Sequence, residues 1–208
     1  MCIRDSVEEV RELHIPLPPH SSYYEASPVT LQGDRRFSLR DLVKVCLAQR
    51  VDLLCVGEVR GAEAFELTRA VNAGCGFSCT VHSNSARDAL AAVVNAAIMA
   101  GENVTESIVR RVFANSIDFV VHLDRDMRRP EESEHGVRRQ VIEILAVTPS
   151  LSSDDFTTEP IFVRPGLGEP MRWTGSYPPE ELVRRIDRAL PGGVSMKRIL
   201  HGDWSPDL

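Results

Sequence analysis

The sequence predicts an α/β protein built around a mostly parallel sheet, and three observations lead to this class. Residues 52–59 form a continuous apolar run, which is typical of a strand buried on both faces of a parallel sheet. Segments with helical periodicity alternate with such short runs as far as residue 124. Beyond that point the pattern changes to period two, which favours an added antiparallel part.

Local signals in the chain justify each element of the first part. Ser38 is followed three positions later by Asp41, the spacing of a helix capping box, and the apolar positions after it repeat with helical period. Gly74 and Gly101 follow the last periodic residues of two further helices and are expected to end them. The predicted strands are 7–15, 21–27, 52–59, 77–82 and 117–124, and the predicted helices are 38–50, 62–73, 85–100 and 105–114.

The remainder of the chain is predicted to form a smaller second region. A charged stretch at 125–139 is expected to be a turn. The stretch QVIEILAVT, at 140–148, alternates at period two, so we expect it to pair antiparallel with 117–124. We predict a first domain over 1–126 and, over 127–208, a β-hairpin and a helical extension packed on the core. The other elements expected here are short strands at 159–165 and 170–175 and a helix at 178–191.

The composition argues against several classes of protein. The 208 residues carry a formal net charge of -6, which argues against non-specific binding of nucleic acid. No apolar run approaches the roughly 18 residues that a membrane span needs, and the first residues, MCIRDS, lack the pattern of a signal peptide. The five cysteines are an odd number in a long chain, which favours a reducing, cytoplasmic compartment.

A cluster of charged residues follows the most apolar predicted strand. Gly57 allows a close approach of the backbone, and Glu58 comes directly after it, where parallel sheets bind ligands. A carboxylate there can hold Mg²⁺ through water or polarise a nucleophilic water. Arg60 and Glu63 follow within the same short run. The ordinary alternative is a strand-to-helix turn whose acids are favoured by the helix dipole.

A histidine and an acidic pair close two other predicted strands. His82 precedes a capped helix, where it can meet a phosphate, although a turn with a satisfied histidine is the ordinary alternative. Cys75, Cys79 and His82 do not have the spacing of a standard zinc site, so we do not expect a metal triad. Glu8 and Glu9 lie on opposite faces of a strand, so at most one of them serves a given site, and a surface pair is the alternative.

These motifs together resemble a known family. The run LRDLVKVCLAQRVDLLCVGEVRGAEAFELTRAVNAG, followed by TVHSNSARDAL, resembles the secretion and pilus traffic ATPases of the type II/type IV secretion superfamily. Within it, the resemblance is to the CpaF-like branch that drives tight-adherence (Flp) pili. It extends from about residue 7 to residue 126. The coupling of GEVRGAEA to TVHSNS some twenty residues later is its most specific feature.

The resemblance implies a fold, a reaction and a set of site residues. The family has a RecA-like P-loop ATPase core, binds ATP and Mg²⁺, and works as a ring hexamer at the cytoplasmic face of the inner membrane, on pilus or secretion platform proteins. GEVRG matches the Walker B motif, in which Glu58 organises Mg²⁺ and water, and Arg60 and Glu63 belong to the same nucleotide-binding run. The VEE sequence matches the end of the Asp box, with Glu8 as candidate general base. His82 matches the residue that senses the γ-phosphate.

Two departures from the family pattern qualify this assignment. Cys75 stands where the first histidine of the His box is usual, and no G-x-x-x-x-G-K-[ST] loop occurs in these 208 residues. We therefore expect the chain to be the C-terminal part of a hexameric motor ATPase, truncated before its RecA-like core is complete. The alternative is a non-catalytic ring-forming or scaffolding relative that does not hydrolyse ATP. In either case Glu58 and His82 are predicted to share one edge of the parallel sheet.

Overall fold

The structure is a computed structural model, and it describes residues 3–13, 20–27, 37–101, 103–125, 139–150 and 155–204. The chain divides into two compact units. The first unit comprises 1–84, 88–116 and 152–154, and the second comprises 85–87, 117–151 and 155–208.

The first unit contains a four-stranded sheet in which every pairing is parallel. Its strands, in the order β2-β1-β3-β4 across the sheet, are β1 (Arg4–Glu8), β2 (Ser21–Glu25), β3 (Leu53–Val56) and β4 (Gly76–Cys79). The helices that alternate with them are α1 (Leu39–Ala48), α2 (Glu63–Asn72), α3 (Ala86–Ile98) and α4 (Glu106–Ala114). The predicted parallel α/β arrangement is therefore confirmed.

The apolar pattern of the sequence becomes the core of this unit. Val7, Leu54 and Val56 are buried on the central strands, and the ring of Phe113 on α4 meets Phe77 of β4 edge to face, with centroids 6.4 Å apart. Burial of each such side chain stabilises the fold by about 1.5–3 kcal/mol. The central strands are therefore fixed firmly, and their ends can hold side chains in defined places.

The helix boundaries follow from the capping signals. Ser38 and Asp41 form the predicted capping box, because each side chain accepts the backbone N–H of the other. Gly74 follows α2 with a φ of 79°, a left-handed conformation that glycine adopts without strain. Thr105 precedes α4, but its hydroxyl bonds Ser107 Oγ at 3.0 Å instead of capping the helix.

Several predicted strands are shorter in the structure. The strand predicted at 7–15 is β1, which begins earlier and ends at Glu8, because the Glu8 carboxylate closes a turn after it. β3 ends at Val56 rather than at 59, and β4 ends at Cys79 rather than at 82.

The second unit contains an antiparallel sheet with the order β5-β6-β7-β8. Its elements are β5 (Phe119–Arg125), β6 (Arg139–Thr148), β7 (Thr157–Val163), β8 (Arg172–Trp173), α5 (Glu180–Ala189) and α6 (Met196–Leu200). The predicted pairing of 117–124 with 140–148 is confirmed, with a bulge after His122. The sheet is larger than the predicted hairpin, since two more strands join it. Ala146, Ile161 and Leu200 form its small core.

Three further features complete the comparison with the sequence. β5 groups with the second unit, whereas the boundary predicted at 126 assigned it to the first domain. The five-residue helix α6 was not predicted, because it is too short to show periodicity. The predicted charged turn at 125–139 lies almost entirely outside the described residues. In the described part of the chain, no helix is long and apolar enough to cross a membrane.

Candidate functional site

The candidate site lies where three parallel strands end together. β1 ends at Glu8, Glu58 follows β3, and His82 follows β4. Because β3 and β4 are neighbours and run in the same direction, Glu58 and His82 reach the same edge of the sheet. His82 Nε2 lies 3.3 Å from Glu58 Oε1. The prediction that Glu58 and His82 share an edge on neighbouring strands is confirmed.

Gly57 allows Glu8 to pack beside β3. A Cβ atom at position 57 would lie 2.8 Å from Cγ of Glu8, closer than real side chains approach. Glu8 is only 4% exposed, and its Oε1 accepts the backbone N–H groups of Glu12 at 3.1 Å and Leu13 at 3.0 Å. The close approach expected at Gly57 is therefore to a neighbouring side chain, and the Glu8 carboxylate holds the turn that follows β1.

Glu9 is the member of the acidic pair that contacts the charged cluster. Its side chain is 62% exposed, and its Oε2 lies 3.6 Å from Nη1 of Arg60. The two acids thus differ in environment, but the predicted strand alternation is not the reason, because β1 ends at Glu8 and Glu9 lies beyond the strand. The assignment of Glu8 as general base stays a prediction, made for a carboxylate that already accepts two backbone hydrogen bonds.

Arg60 joins the strand ends electrostatically. Its Nη2 lies 2.6 Å from Glu58 Oε2, within hydrogen-bond distance, and the same guanidinium faces Glu9. Glu63 Oε1 accepts the backbone N–H groups of Arg60 at 2.6 Å and Gly61 at 2.7 Å. Glu63 therefore fixes the backbone of the loop that carries Arg60, and its proposed contact with nucleotide stays a prediction.

The environment of Glu58 favours its ionised form. The hydrogen bond from Arg60 is the main cause that lowers the pKa of Glu58, and the charges of Arg60 and His82 act in the same direction. Partial burial acts against them and is outweighed by the arginine. The carboxylate is consequently an anion at neutral pH.

One oxygen of that carboxylate has no hydrogen bond. Glu58 Oε1 is buried, and within the described part of the chain it has no hydrogen-bond partner, since the approach of His82 is close but not aligned. The oxygen lies beside a cleft of about 480 Å³. Glu58, Arg60, His82 and Asn95 supply the polar lining of this cleft, and Met99 belongs to its apolar lining.

The donor set suits magnesium held through water rather than a transition metal. Mg²⁺ prefers oxygen ligands and keeps several waters, and the Oε1 atom of Glu58 could accept from such a water. Among the described residues no group of three His, Cys, Asp or Glu side chains is arranged to hold a metal directly. Burial raises the pKa of Cys79 to about 11 and also raises that of Cys75, which disfavours the thiolates that zinc requires.

Sequence reasoning missed the residues that support this edge. Thr80 Oγ1 donates to the carbonyl of Gly57 at 2.5 Å, and the Thr80 carbonyl accepts the N–H of Val59 at 2.9 Å. These bonds hold the segments after β3 and β4 together. Asn95 lies on α3 and Met99 directly follows that helix, and the sequence contained no motif that indicated either residue.

The fold is that of a RecA-like α/β domain, and an acid, an arginine and a histidine lie together at the carboxyl edge of its parallel sheet. The sequence profile of the family Type II/IV secretion system protein matches residues 21–148. Since this match covers more than half of the chain, the protein belongs to that family.

Similar proteins include two curated relatives and a solved structure. The Putative conjugal transfer proteins MT3759 and Rv3659c, from two strains of Mycobacterium tuberculosis, are each 30% identical to the chain over 142 residues. This match covers 67% of the chain but only 38% of each relative. The VirB11 ATPase of the Brucella suis type IV secretion system, solved in complex with sulphate, is similar with a TM-score of 0.56 and 21% identity. That likeness covers 70% of this chain and 40% of VirB11, and it supports the fold.

Proposed function

We propose that this chain is the C-terminal part of a motor ATPase that hydrolyses ATP to power protein secretion or pilus assembly, in the CpaF-like branch of the family. The observation that carries the proposal is the ionised Glu58 with its second oxygen unbonded at the edge of the parallel sheet. Purely structural carboxylates in buried positions normally have all their oxygens bonded. A site that binds a hydrated cation and a phosphate gives this oxygen a role.

The proposed roles of the residues follow from their positions. Glu58 would accept from a water of Mg²⁺, and the ion would neutralise charge on the phosphates of ATP. His82 is 91% exposed beside Glu58, so its ring is free to contact the γ-phosphate. Glu8 is the proposed general base, and Arg60 and Glu63 belong to the nucleotide-binding run.

The proposed partners are identical subunits in a ring hexamer and platform proteins of the inner membrane. We place the protein in the cytoplasm, peripheral to the membrane. The names of the relatives, a conjugal transfer protein and a type IV secretion ATPase, support transport across the cell envelope. The net charge of -6 supports a partner other than nucleic acid.

A second candidate function is supported by the missing phosphate-binding loop. Without G-x-x-x-x-G-K-[ST], these 208 residues lack the backbone amides, the lysine and the hydroxyl that usually cradle nucleotide and Mg²⁺. A relative that keeps the ring-forming surface but does not hydrolyse ATP would act as a scaffold.

Turnover and gene context separate the two candidates. Each hydrogen bond to a charged phosphate contributes roughly 1.5–3 kcal/mol, so the 208-residue chain alone should hydrolyse ATP negligibly. We expect the reading frame upstream of Met1 to encode a G-x-x-x-x-G-K-[ST] loop, and the longer protein to be an ATPase. An upstream frame without that loop favours the scaffold. The proposed dependence on the loop would be contradicted if the 208-residue chain alone hydrolysed ATP and Glu58→Gln abolished that hydrolysis.

Substitutions in the longer protein then test the assigned roles. Glu58→Gln and Glu8→Gln should each stop hydrolysis while nucleotide binding remains, because an amide cannot accept a proton or compensate Mg²⁺. His82→Ala should reduce turnover less than either. Glu9→Gln is the control for Glu8→Gln, since the two residues have different environments. Equal loss of ATP hydrolysis in Glu8→Gln and Glu9→Gln would contradict the assignment of the general base to Glu8 alone.

A further inference from the structure

Arg60 pairs with one oxygen of the Glu58 carboxylate, whose charge a divalent cation at the other oxygen would also neutralise. We propose that Arg60 is a positioning residue that holds the Glu58 carboxylate until Mg²⁺ arrives, and that it then exchanges its partner, leaving Glu58 for Glu9. This inference rests on the proposed function, because it assumes that Glu58 serves Mg²⁺.

The first step of the argument is the unequal use of the two Glu58 oxygens. Oε2 lies 2.6 Å from a nitrogen of Arg60, whereas Oε1 is buried and has no hydrogen bond among the described residues. A carboxylate that only formed a structural ion pair would gain from a partner on both oxygens. Oε1 lies 3.3 Å from Nε2 of His82, whose ring is 91% exposed, so a hydrated cation can reach this oxygen when the ring moves aside.

The second step is the presence of another acceptor for the guanidinium. Glu9 Oε2 lies 3.6 Å from Nη1 of Arg60, which is too long for a good hydrogen bond but short enough for attraction. Both side chains are 62% exposed, so rotation of either is not blocked by packing. A small movement therefore transfers the arginine from Glu58 to Glu9.

The third step is that the loop backbone does not need to move. Glu63 holds the amides of Arg60 and Gly61 through two short hydrogen bonds. The exchange is consequently a change of side-chain rotamer on a fixed backbone.

The balance of charges drives the exchange. Glu9, Glu58 and Glu63 carry three negative charges around the single positive charge of Arg60. A divalent cation at Glu58 repels the guanidinium while Glu9 continues to attract it. Because charges on a partly exposed surface still interact at distances of about 4 Å, one competing charge is enough to change the partner of the guanidinium.

The test uses Mn²⁺ as a probe for the magnesium site in the 208-residue chain. Binding is followed by the enhanced relaxation of water protons and by the selective broadening of the His82 ring signals in NMR. Arg60→Gln should bind Mn²⁺ at least about tenfold more tightly than the wild type, since one competing charge is removed. Arg60→Lys should lie between them, because a point charge cannot bridge two carboxylates. The matched control is Arg111→Gln, an exposed arginine of α4, which should leave the affinity unchanged.

A double substitution separates partner exchange from simple loss of charge. If Arg60 moves to Glu9, then Glu9→Gln weakens Mn²⁺ binding in the wild type by about threefold or more and has no such effect in Arg60→Gln. If the charge of Glu9 merely attracts the metal, the weakening is the same in both backgrounds, and that result overturns the exchange. Equal affinities of the wild type and Arg60→Gln also overturn it, and so does the absence of Mn²⁺ binding in both.

Glu58→Gln distinguishes failure of this inference from failure of the proposed function. It should abolish the broadening of His82 by Mn²⁺ in every background. If it leaves binding unchanged, Glu58 does not serve the cation, and the metal role in the proposed function falls together with the inference. If it abolishes binding but Arg60→Gln has no effect, only the role of Arg60 is overturned.

Discussion

The two sheets of this protein use charged residues in different ways. In the parallel sheet, three strands deliver their carboxyl ends to one edge, where Arg60 pairs with Glu9 and Glu58, and His82 lies against Glu58. In the antiparallel sheet, neighbouring strands end at opposite edges. Its charged residues are distributed along the strands, with His122 opposite Glu143.

The difference shows how strand direction decides where a site can form. In a parallel sheet, the side chains at the carboxyl ends of neighbouring strands lie close together at one edge. In an antiparallel sheet, charged residues instead form cross-strand pairs, each of which stabilises the sheet by only about 0.2–1 kcal/mol. The candidate site accordingly lies in the first unit, at the carboxyl ends of its parallel strands. Most of the predictions below compare a substitution in one region with a matched control substitution, by their effects on stability or on ATP turnover.

The largest effect on stability is expected at Glu66, the fully buried acid of α2. Its carboxylate meets Arg40 at 2.8 Å and Arg69 at 3.1 Å, and Lys44 lies 3.7 Å away. Glu66→Gln turns an N–H group toward these cations and should lower the free energy of unfolding by about 3 kcal/mol. Urea denaturation measures the change.

The matched control lies in the second unit. Asp118 pairs with Arg185 in an exposed position, so Asp118→Asn should cost no more than about 1 kcal/mol. Similar losses from Glu66→Gln and Asp118→Asn would show that burial does not distinguish the ion pairs of the two regions.

A smaller effect is expected from Gly57→Ala. The added methyl group would overlap the buried Glu8 side chain, and such overpacking costs about 1–3 kcal/mol. Gly61→Ala is the control, because its Cβ would meet only Glu63 Oε2 at 3.6 Å, an ordinary contact. Thermal unfolding of both variants should show a clear loss for Gly57→Ala and almost none for Gly61→Ala. An unchanged Gly57→Ala would contradict the packing of Glu8 against β3.

The smallest effect on stability is expected at the start of α1 and depends on pH. Hydrogen bonds from Ser38 lower the pKa of Asp41 below its usual value, so the carboxylate stabilises the folded state at neutral pH. This contribution is present above about pH 4 and is lost as the pH falls through the lowered pKa of the folded state. Ser38→Ala should cost about 1 kcal/mol at pH 7.

The pH dependence provides the check on that prediction. The difference in unfolding free energy between wild type and Ser38→Ala should become smaller between pH 5 and pH 2. A difference that stays constant over this range would mean that Asp41 does not contribute through its charge.

Much of the first unit could be predicted because local signals determine it. The capping box at Ser38, the glycine after α2 and the apolar run that becomes β3 each act over a few residues. Parallel order then follows from the alternation of strands and helices. The shared edge of Glu58 and His82 needed only that order and the positions of the strand ends.

Other features could not be predicted because they depend on side-chain direction and distant contacts. Arg60 could have faced solvent, and nothing in GEVRG indicates that it bridges Glu58 to Glu9. Glu63 bonds its own loop, a contact set by one rotamer. In the second unit, the strand predicted at 170–175 is confirmed as β8, but the five-residue helix α6 was not predicted, because Leu200 and Met196 fix it by packing on the small core rather than by a sequence pattern of its own.

The most direct test of the central claim compares one acid from each sheet in the longer, loop-containing protein. Glu58→Gln removes the carboxylate at the edge of the parallel sheet, and Glu143→Gln makes the same chemical change on β6. We predict that ATP turnover falls at least about 100-fold in Glu58→Gln, whereas Glu143→Gln keeps the wild-type rate within about twofold because Glu143 belongs to the other sheet and does not line the cleft beside Glu58. Equal turnover by the two variants would contradict the assignment of hydrolysis to the parallel sheet.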